Sequence, residues 1–174
     1  MGTLRDIRRQ PAHVPLAYFI TVRAYGMWLH GDRRGSVDRE HNVPGTPLAE
    51  PDRMREESAA GRMRHGPMRF GGKAAGVVKA AVTELCLHRK WHLYAVNMRS
   101  NHLHVVVYAE VSAERVLSDV KARTTRRLRE ERFVGAEERP WAVHGSTPYM
   151  WTPEQLLGAI DYVMNRQGGA LEGE

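Results

Sequence analysis

The chain has 174 residues, 42% of them apolar, enough for one compact domain with a real core and too few for two comfortable ones. Its 26 Lys and Arg against 20 Asp and Glu give a net charge of +6 and a pI near 9.8, a balance that favours polyanionic partners, nucleic acid first, through phosphate neutralisation. A single cysteine, Cys86, excludes an internal disulfide framework and a multi-cysteine zinc site, so any metal must rest on His, carboxylates and amides. No run of about 18 apolar residues occurs and Met1 to Ala12 is charged, so the expectation is a soluble, cytoplasmic, nucleoid-associated protein with no membrane segment.

In chain order, PLAYFITVRAYGMWLHGD sets Tyr18, Ile20 and Val22 on one face of a strand and Phe19 and Thr21 on the other, with the β-branched and aromatic content of a sheet. From Gly31 to about Gly72 the composition shifts to Gly, Pro, Arg and Glu, with prolines at 44, 47, 51 and 67. This reads as a long insertion, 31–72, holding a short helix near 51–63. Ala74, Val78, Ala81 and Leu85 then recur at helical spacing and predict a helix of about 16 residues. WHLYAVNMRS, alternating Leu93, Ala95 and Asn97, predicts a second strand, and HLHVVVYAE a third. The short break at 99–101 makes the two an antiparallel hairpin.

Ser112 caps a predicted helix reaching about Arg132, with Ala113, Val116 or Leu117, Val120, Thr124 and Leu128 as its inward stripe. Its other faces carry Lys121, Arg123, Arg126, Arg127, Arg129 and Arg132 against Glu130 and Glu131. WAVHGSTPYMW predicts a last short strand interrupted by Gly145 and Pro148. Thr152, Pro153 and Gln155 fit a capping box with proline at the first helical position; the helix they start, with Leu156, Ile160 and Val163 inward, runs to the stop at Gly168 and Gly169. Together these elements predict a single α+β domain over 1–174. Its architecture is a ferredoxin-like split βαβ antiparallel sheet, with helices on one face and an extra C-terminal helix.

The third strand begins unusually. In NHLHVVV, side-chain alternation projects His102 and His104 from one face while Leu103 and Val105 turn to the other. Nine histidines give roughly 0.5 such pairs per chain by composition alone, so the pair needs support from its surroundings. Placement at the head of an apolar strand supplies some, because an unpaired buried polar ring costs about 1–3 kcal/mol unless something binds it.

NMRSNHLHVVV resembles the signature strand of the HUH nucleases, named for histidine, hydrophobic residue, histidine; in particular it is similar to the single-tyrosine, IS200-like transposases of the REP-associated type. Met98, Asn101, His102, His104 and Val105 to Val107 carry the match. Many members place a proline between that Met and Asn, where this chain has Arg99 and Ser100. The resemblance implies a nucleophilic tyrosine on a C-terminal helix followed by an amide that completes a metal site, and AIDYVMNRQGG supplies Tyr162, then Asn165 and Gln167. Close members carry the amide four positions after the tyrosine, which here is Arg166. Gln167 is the expected ligand, because the glycine pair beyond it allows the last turn to loosen, and Asn165, at i+3, is the alternative.

What the resemblance implies is a metal-dependent endonuclease and strand transferase for single-stranded DNA that folds into hairpins or palindromic repeats. A phenol, with its ordinary pKa of about 10, is a weak nucleophile and a DNA phosphodiester resists anionic attack. A divalent ion, Mg²⁺ or Mn²⁺, held by His102, His104 and the amide would ease both problems. Tyr162 would then carry the 5′ end of the cut strand as a phosphotyrosine. The resemblance also implies a homodimer, with the tyrosine helix serving either its own histidines or the partner's. Lys121, Arg123, Arg126, Arg127 and Arg129 are the expected track for the DNA backbone, with Trp91, Trp141 and Trp151 as stacking platforms. Two other readings compete: a catalytically silent or domesticated nucleic-acid-binding module on the same fold, and a structural zinc on Cys86, His88 and His92 if the two histidines stay helical.

Overall fold

In the computed structural model, which describes residues 13–41, 46–168 and 171, the sheet is built around β1 (Ala17–Ala24). On one side β1 pairs with β3 (His102–Tyr108), which pairs in turn with β2 (His92–Met98); on the other it pairs with β4 (Trp141–Ser146) and with the short β5 (Tyr149–Met150). The order β2-β3-β1-β4 is antiparallel throughout, the ferredoxin-like arrangement expected from the element order. Two long helices, α2 (Gly72–Arg89) and α3 (Ala113–Glu130), follow α1 (Arg53–Gly61) in the chain and cover one face of the sheet. The opposite face receives α4 (Pro153–Asn165).

Period-two alternation divides the strands between these layers. Ile20, Val22, Leu103, Val105 and Val107 are fully buried beneath α2 and α3, whereas Ala17 and Val106 are buried beneath Leu156, Ala159 and Val163 of α4. A strand covered on both faces needs a continuous apolar run, which is why Val105 to Val107 does not alternate. Burying a Val or Leu side chain contributes about 1.5–3 kcal/mol, so this double cover is what holds α4 on the sheet.

The alternation expected for β2 is corrected by a bulge. Leu93 pairs with Val107 and Ala95 with Val106, leaving Tyr94 as the extra residue. Leu93 therefore packs with the α2 and α3 core while Ala95 lies under α4.

Helix ends follow their cap chemistry. The Ser112 hydroxyl accepts from the Arg115 amide, and Thr152 with Gln155 forms a complete capping box at α4. α3 stops at Glu130, two residues before the expected Arg132. There Arg132 turns left-handed with φ 62° and the Phe133 amide returns to the Leu128 carbonyl, a Schellman closure. α4 likewise ends at Asn165 rather than at the glycine pair.

The described part of the 31–72 segment is tied together by backbone. Ser36 bridges Ala49, and Asp52 caps α1 and donates its amide to the Gly31 carbonyl. Gly31 has φ 90°, and a Cβ there would meet the Asp52 carbonyl, so the turn requires glycine.

Candidate active site

Strand alternation turns His102 and His104 to the α4 face with ring centroids 4.6 Å apart. His104 is only 5% exposed, enclosed by the rings of Phe19 at 5.2 Å and Tyr162 at 5.5 Å. Its Nδ1 lies 3.0 Å from the hydroxyl of Thr21, its cross-strand partner. On the other side its register partner Asn97 donates to the Val163 carbonyl at 2.9 Å, fixing α4 over the pair. His102 Nδ1 lies 2.6 Å from Asn101 Oδ1 and its Nε2 lies 3.2 Å from Gln167 Oε1. The Gln167 amide nitrogen donates to the Tyr162 carbonyl at 3.3 Å, which aims the oxygen at the histidine.

Asn101 Oδ1 and Gln167 Oε1 both accept, so a neutral His102 donates to one of them at a time, and the Thr21 hydroxyl either donates to or accepts from His104 Nδ1. Among the described residues His104 Nε2 is buried with no hydrogen-bond partner, while His102 Nε2–H donates to the Gln167 amide oxygen whenever the ring carries that proton. Burial pushes His104 down to about 4, with His102 adding to the effect. Burial also lowers His102, opposed by its contact with Gln167 and reinforced by the charges of Arg99 and Arg23. With a proton on each Nδ1, the two Nε2 atoms and the Gln167 oxygen would form a neutral donor set of the kind that fits a divalent cation.

Tyr162 stands beside this cluster, 41% exposed, its ring edge-on to Phe19 at 5.9 Å. The two amides expected from sequence part company: Gln167 meets His102, while Asn165 donates to Asp161, whose other oxygen holds Arg166. α4, which carries Tyr162, packs on the histidine face of the sheet through Leu156, Ala159 and Val163 against Val106 and Ala95.

The basic residues of α3 lie across the sheet from the histidines. Lys121 donates to the carbonyls of Ala142, Val143 and His144, Arg123 pairs with Glu84 at 2.6 Å, Arg127 reaches Glu130 and Glu131, and Arg129 donates to the Glu138 carbonyl. Arg126 is exposed on the same helix. Trp141 is a core residue, 5.3 Å from Phe70 with its indole N–H on Thr124, and presents no face for stacking. Trp91 is half-buried against the α2 and α3 core, whereas Trp151 is exposed beside Tyr149. The zinc arrangement requires His88 and His92 on one helix, but α2 ends at Arg89 and Lys90 turns left-handed, sending His92 into β2. Cys86 is buried, which pushes its thiol up to about 12. Among the described residues no group of three His, Cys, Asp or Glu could hold a metal, and no helix is long and apolar enough to cross a membrane.

Three residues of this face were not singled out from sequence: Thr21, Asn97 and Arg23, the register partner of His102. The same alternation that selects His102 and His104 selects Thr21 and Arg23 once β1 is paired with β3.

The family described as Transposase IS200 like matches residues 67–156. No curated protein matches the chain. Among solved structures, a REP-associated tyrosine transposase bound to a REP hairpin is similar over 94% of this chain and 70% of its own, at 10% identity and a TM-score of 0.46.

Proposed function

The chain belongs to the IS200-like transposase family, and from that membership we propose that it cleaves and rejoins single-stranded DNA through a covalent tyrosine intermediate, with hairpin or palindromic repeat DNA as substrate. The observation that carries this reading is the meeting of His102, His104 and Gln167 beside Tyr162, from a strand and a helix that only the tertiary fold brings together.

Tyr162 attacks the scissile phosphorus. The bond formed joins the phenolic oxygen to phosphorus as the phenol gives up its proton to solvent; the bond broken is that from phosphorus to the 3′ oxygen, which takes up a proton from solvent and leaves as a 3′ hydroxyl. The 5′ end stays on the enzyme, and attack by the same or another 3′ hydroxyl restores a phosphodiester without ATP. His102, His104 and the Gln167 oxygen would hold the divalent ion, Mg²⁺ or Mn²⁺, which when bound supplies charge for a non-bridging phosphate oxygen. Thr21 and Asn101 fix the imidazole orientations, and Phe19 and the flank of α4 limit water at His104.

The test mixes the protein with end-labelled single-stranded hairpin DNA in Mg²⁺, in Mn²⁺ and in EDTA. A metal-dependent adduct that survives denaturing gels and vanishes in Tyr162→Phe is the expected result. Tight binding with no adduct on any repeat-flanking hairpin would instead identify a silent binding module.

A further inference from the structure

On the face that carries the histidines, Arg23 is the register partner of His102, close enough for its charge to act on that ring. Its guanidinium lies 3.8 Å from the centroid of the Trp28 ring; among the described residues no ion pair or hydrogen bond holds it, and the Asp32 carboxylate acts on its charge without pairing with it. A second arginine, Arg34, sits 4.6 Å from the same ring, but its charge is taken up by both oxygens of Asp32, at 2.7 and 2.6 Å. Arg23 is therefore a half-buried cation, stacked on an aromatic platform and without an ion pair among the described residues, beside two histidines and an amide that carry no negative charge.

The platform is held by the segment that precedes the family match. The Trp28 indole N–H donates to the Gly35 carbonyl at 2.7 Å. Gly35 has φ 80°, and a Cβ there would stand 2.8 Å from the Leu48 side chain, so its carbonyl is set by a turn only glycine makes comfortably. The Ser36–Ala49 bridge closes that turn. On the other side of Arg23, Val22 pairs with Gly145, whose Cβ position faces Leu117 of α3, so the neighbouring His144 turns to the histidine face. His144, Arg39 and Arg62 line a groove of about 1120 Å³ between that strand and the 31–72 segment, together with Glu40 and the Arg55–Asp38 pair.

We propose that Arg23, stacked on Trp28, is a binding site for a backbone phosphate of single-stranded DNA, next to the phosphate cleaved at His102 and His104. The 31–72 segment then has a function in the site: through Gly35 it locks Trp28, and the Trp28 ring holds the planar guanidinium in place for two-point contact with a phosphate. The proposal rests on the reading of the His102 and Tyr162 site as a DNA-processing centre, but phosphate binding needs neither metal nor tyrosine chemistry, and the two can be tested apart.

The experiment measures binding of an oligothymidylate of about 30 nucleotides, in EDTA, to Tyr162→Phe protein carrying Arg23→Ala, Arg23→Lys, Trp28→Ala or Arg89→Ala, across a salt series. Arg89 pairs with Asp119 on the far layer and serves as the control. Arg23→Ala is expected to weaken binding roughly five- to tenfold at ~50 mM salt and to make the log–log salt slope shallower by about 0.7, the share of one phosphate on a single strand. Arg23→Lys is expected to keep the slope but lose part of the affinity, Trp28→Ala to lose affinity with the arginine still present, and Arg89→Ala to match the parent. A merely structural Arg23 would lower the melting temperature and leave the slope unchanged, which overturns the proposal; so does equal loss in Arg89→Ala, or no binding by the parent. If the wild type forms tyrosine adducts while Arg23→Ala binds normally, this site is wrong and the proposed activity stands; if Arg23→Ala loses the slope but no adduct ever forms, the reverse holds.

Discussion

His102 Nε2 lies 3.2 Å from Gln167 Oε1, although the two residues are 65 positions apart in the chain. Asn165, two residues earlier, is turned outward to Asp161. The difference predicts that Gln167→Ala weakens Mn²⁺ binding by about tenfold or more, as loss of a ligand or its orienting partner does, while Asn165→Ala leaves it unchanged. Isothermal titration of the two variants decides between the amides, and the opposite ranking would make Asn165 the ligand.

Replacing Tyr162 with Phe removes the proposed nucleophilic hydroxyl and little else. The ring keeps its edge contacts with His104 and Phe19, and the side chain is already 41% exposed. Stability in urea is expected within about 0.5 kcal/mol of wild type, and Mn²⁺ affinity is expected unchanged. Adduct formation falls to nothing; a residual adduct would place the nucleophile elsewhere.

Much of this arrangement is legible in the chain because it depends on local periodicity. Alternation along β3 and the caps at Ser112 and Thr152 are properties of a few neighbouring residues, and they position His102, His104 and Tyr162 on the right faces. What is not legible is what a side chain meets across the fold. The positive charges of α3 are plain in sequence, but the Arg123–Glu84 pair and the Lys121 contacts with β4 are tertiary. Trp141 reads equally well as a platform or as core until Phe70 and Thr124 are seen around it. The Tyr94 bulge leaves no trace in hydrophobicity, since both Leu93 and Ala95 are apolar. Arg23 is the instructive case: its face is fixed by β1 alone, but its partner His102 is known only from the β1–β3 register.

Gly145 couples the two layers of the sheet. A Cβ there would stand 2.8 Å from the Thr21 carbonyl and 2.8 Å from Leu117 Cδ1, with strand backbone on one side and the packed α3 on the other. Gly145→Ala is therefore expected to destabilise the protein by about 1–3 kcal/mol, the range for overpacking. Because Thr21 carries the hydroxyl that orients His104, Mn²⁺ affinity should fall with it. Urea unfolding and metal titration on one sample test both; a stable variant with wild-type metal affinity would show that β4 yields freely.

The depressed histidines give the metal-free protein an acid sensitivity of definite sign. His104 has a folded-state value of about 4 against 6.5 for the free side chain, so between those pH values the unfolded chain binds a proton that the folded one refuses. Stability then falls as pH drops through this window and is complete above about 6.5. The displacement corresponds to roughly 3 kcal/mol, and His102, shifted in the same direction, adds to it. The depressed carboxylates Asp32 and Asp38, both held down to about 2 by their hydrogen-bond partners, lose their contribution mainly below about pH 4 and do not mask the effect. Urea unfolding in EDTA at a series of pH values between 4.5 and 7.5 is expected to show the decline in wild type and a flatter profile in His104→Gln; equal slopes would show that His104 is protonated in the folded state. The same neutrality predicts that Mn²⁺ binding near neutral pH displaces no proton from either ring, so its calorimetric heat should not depend on the ionisation enthalpy of the buffer.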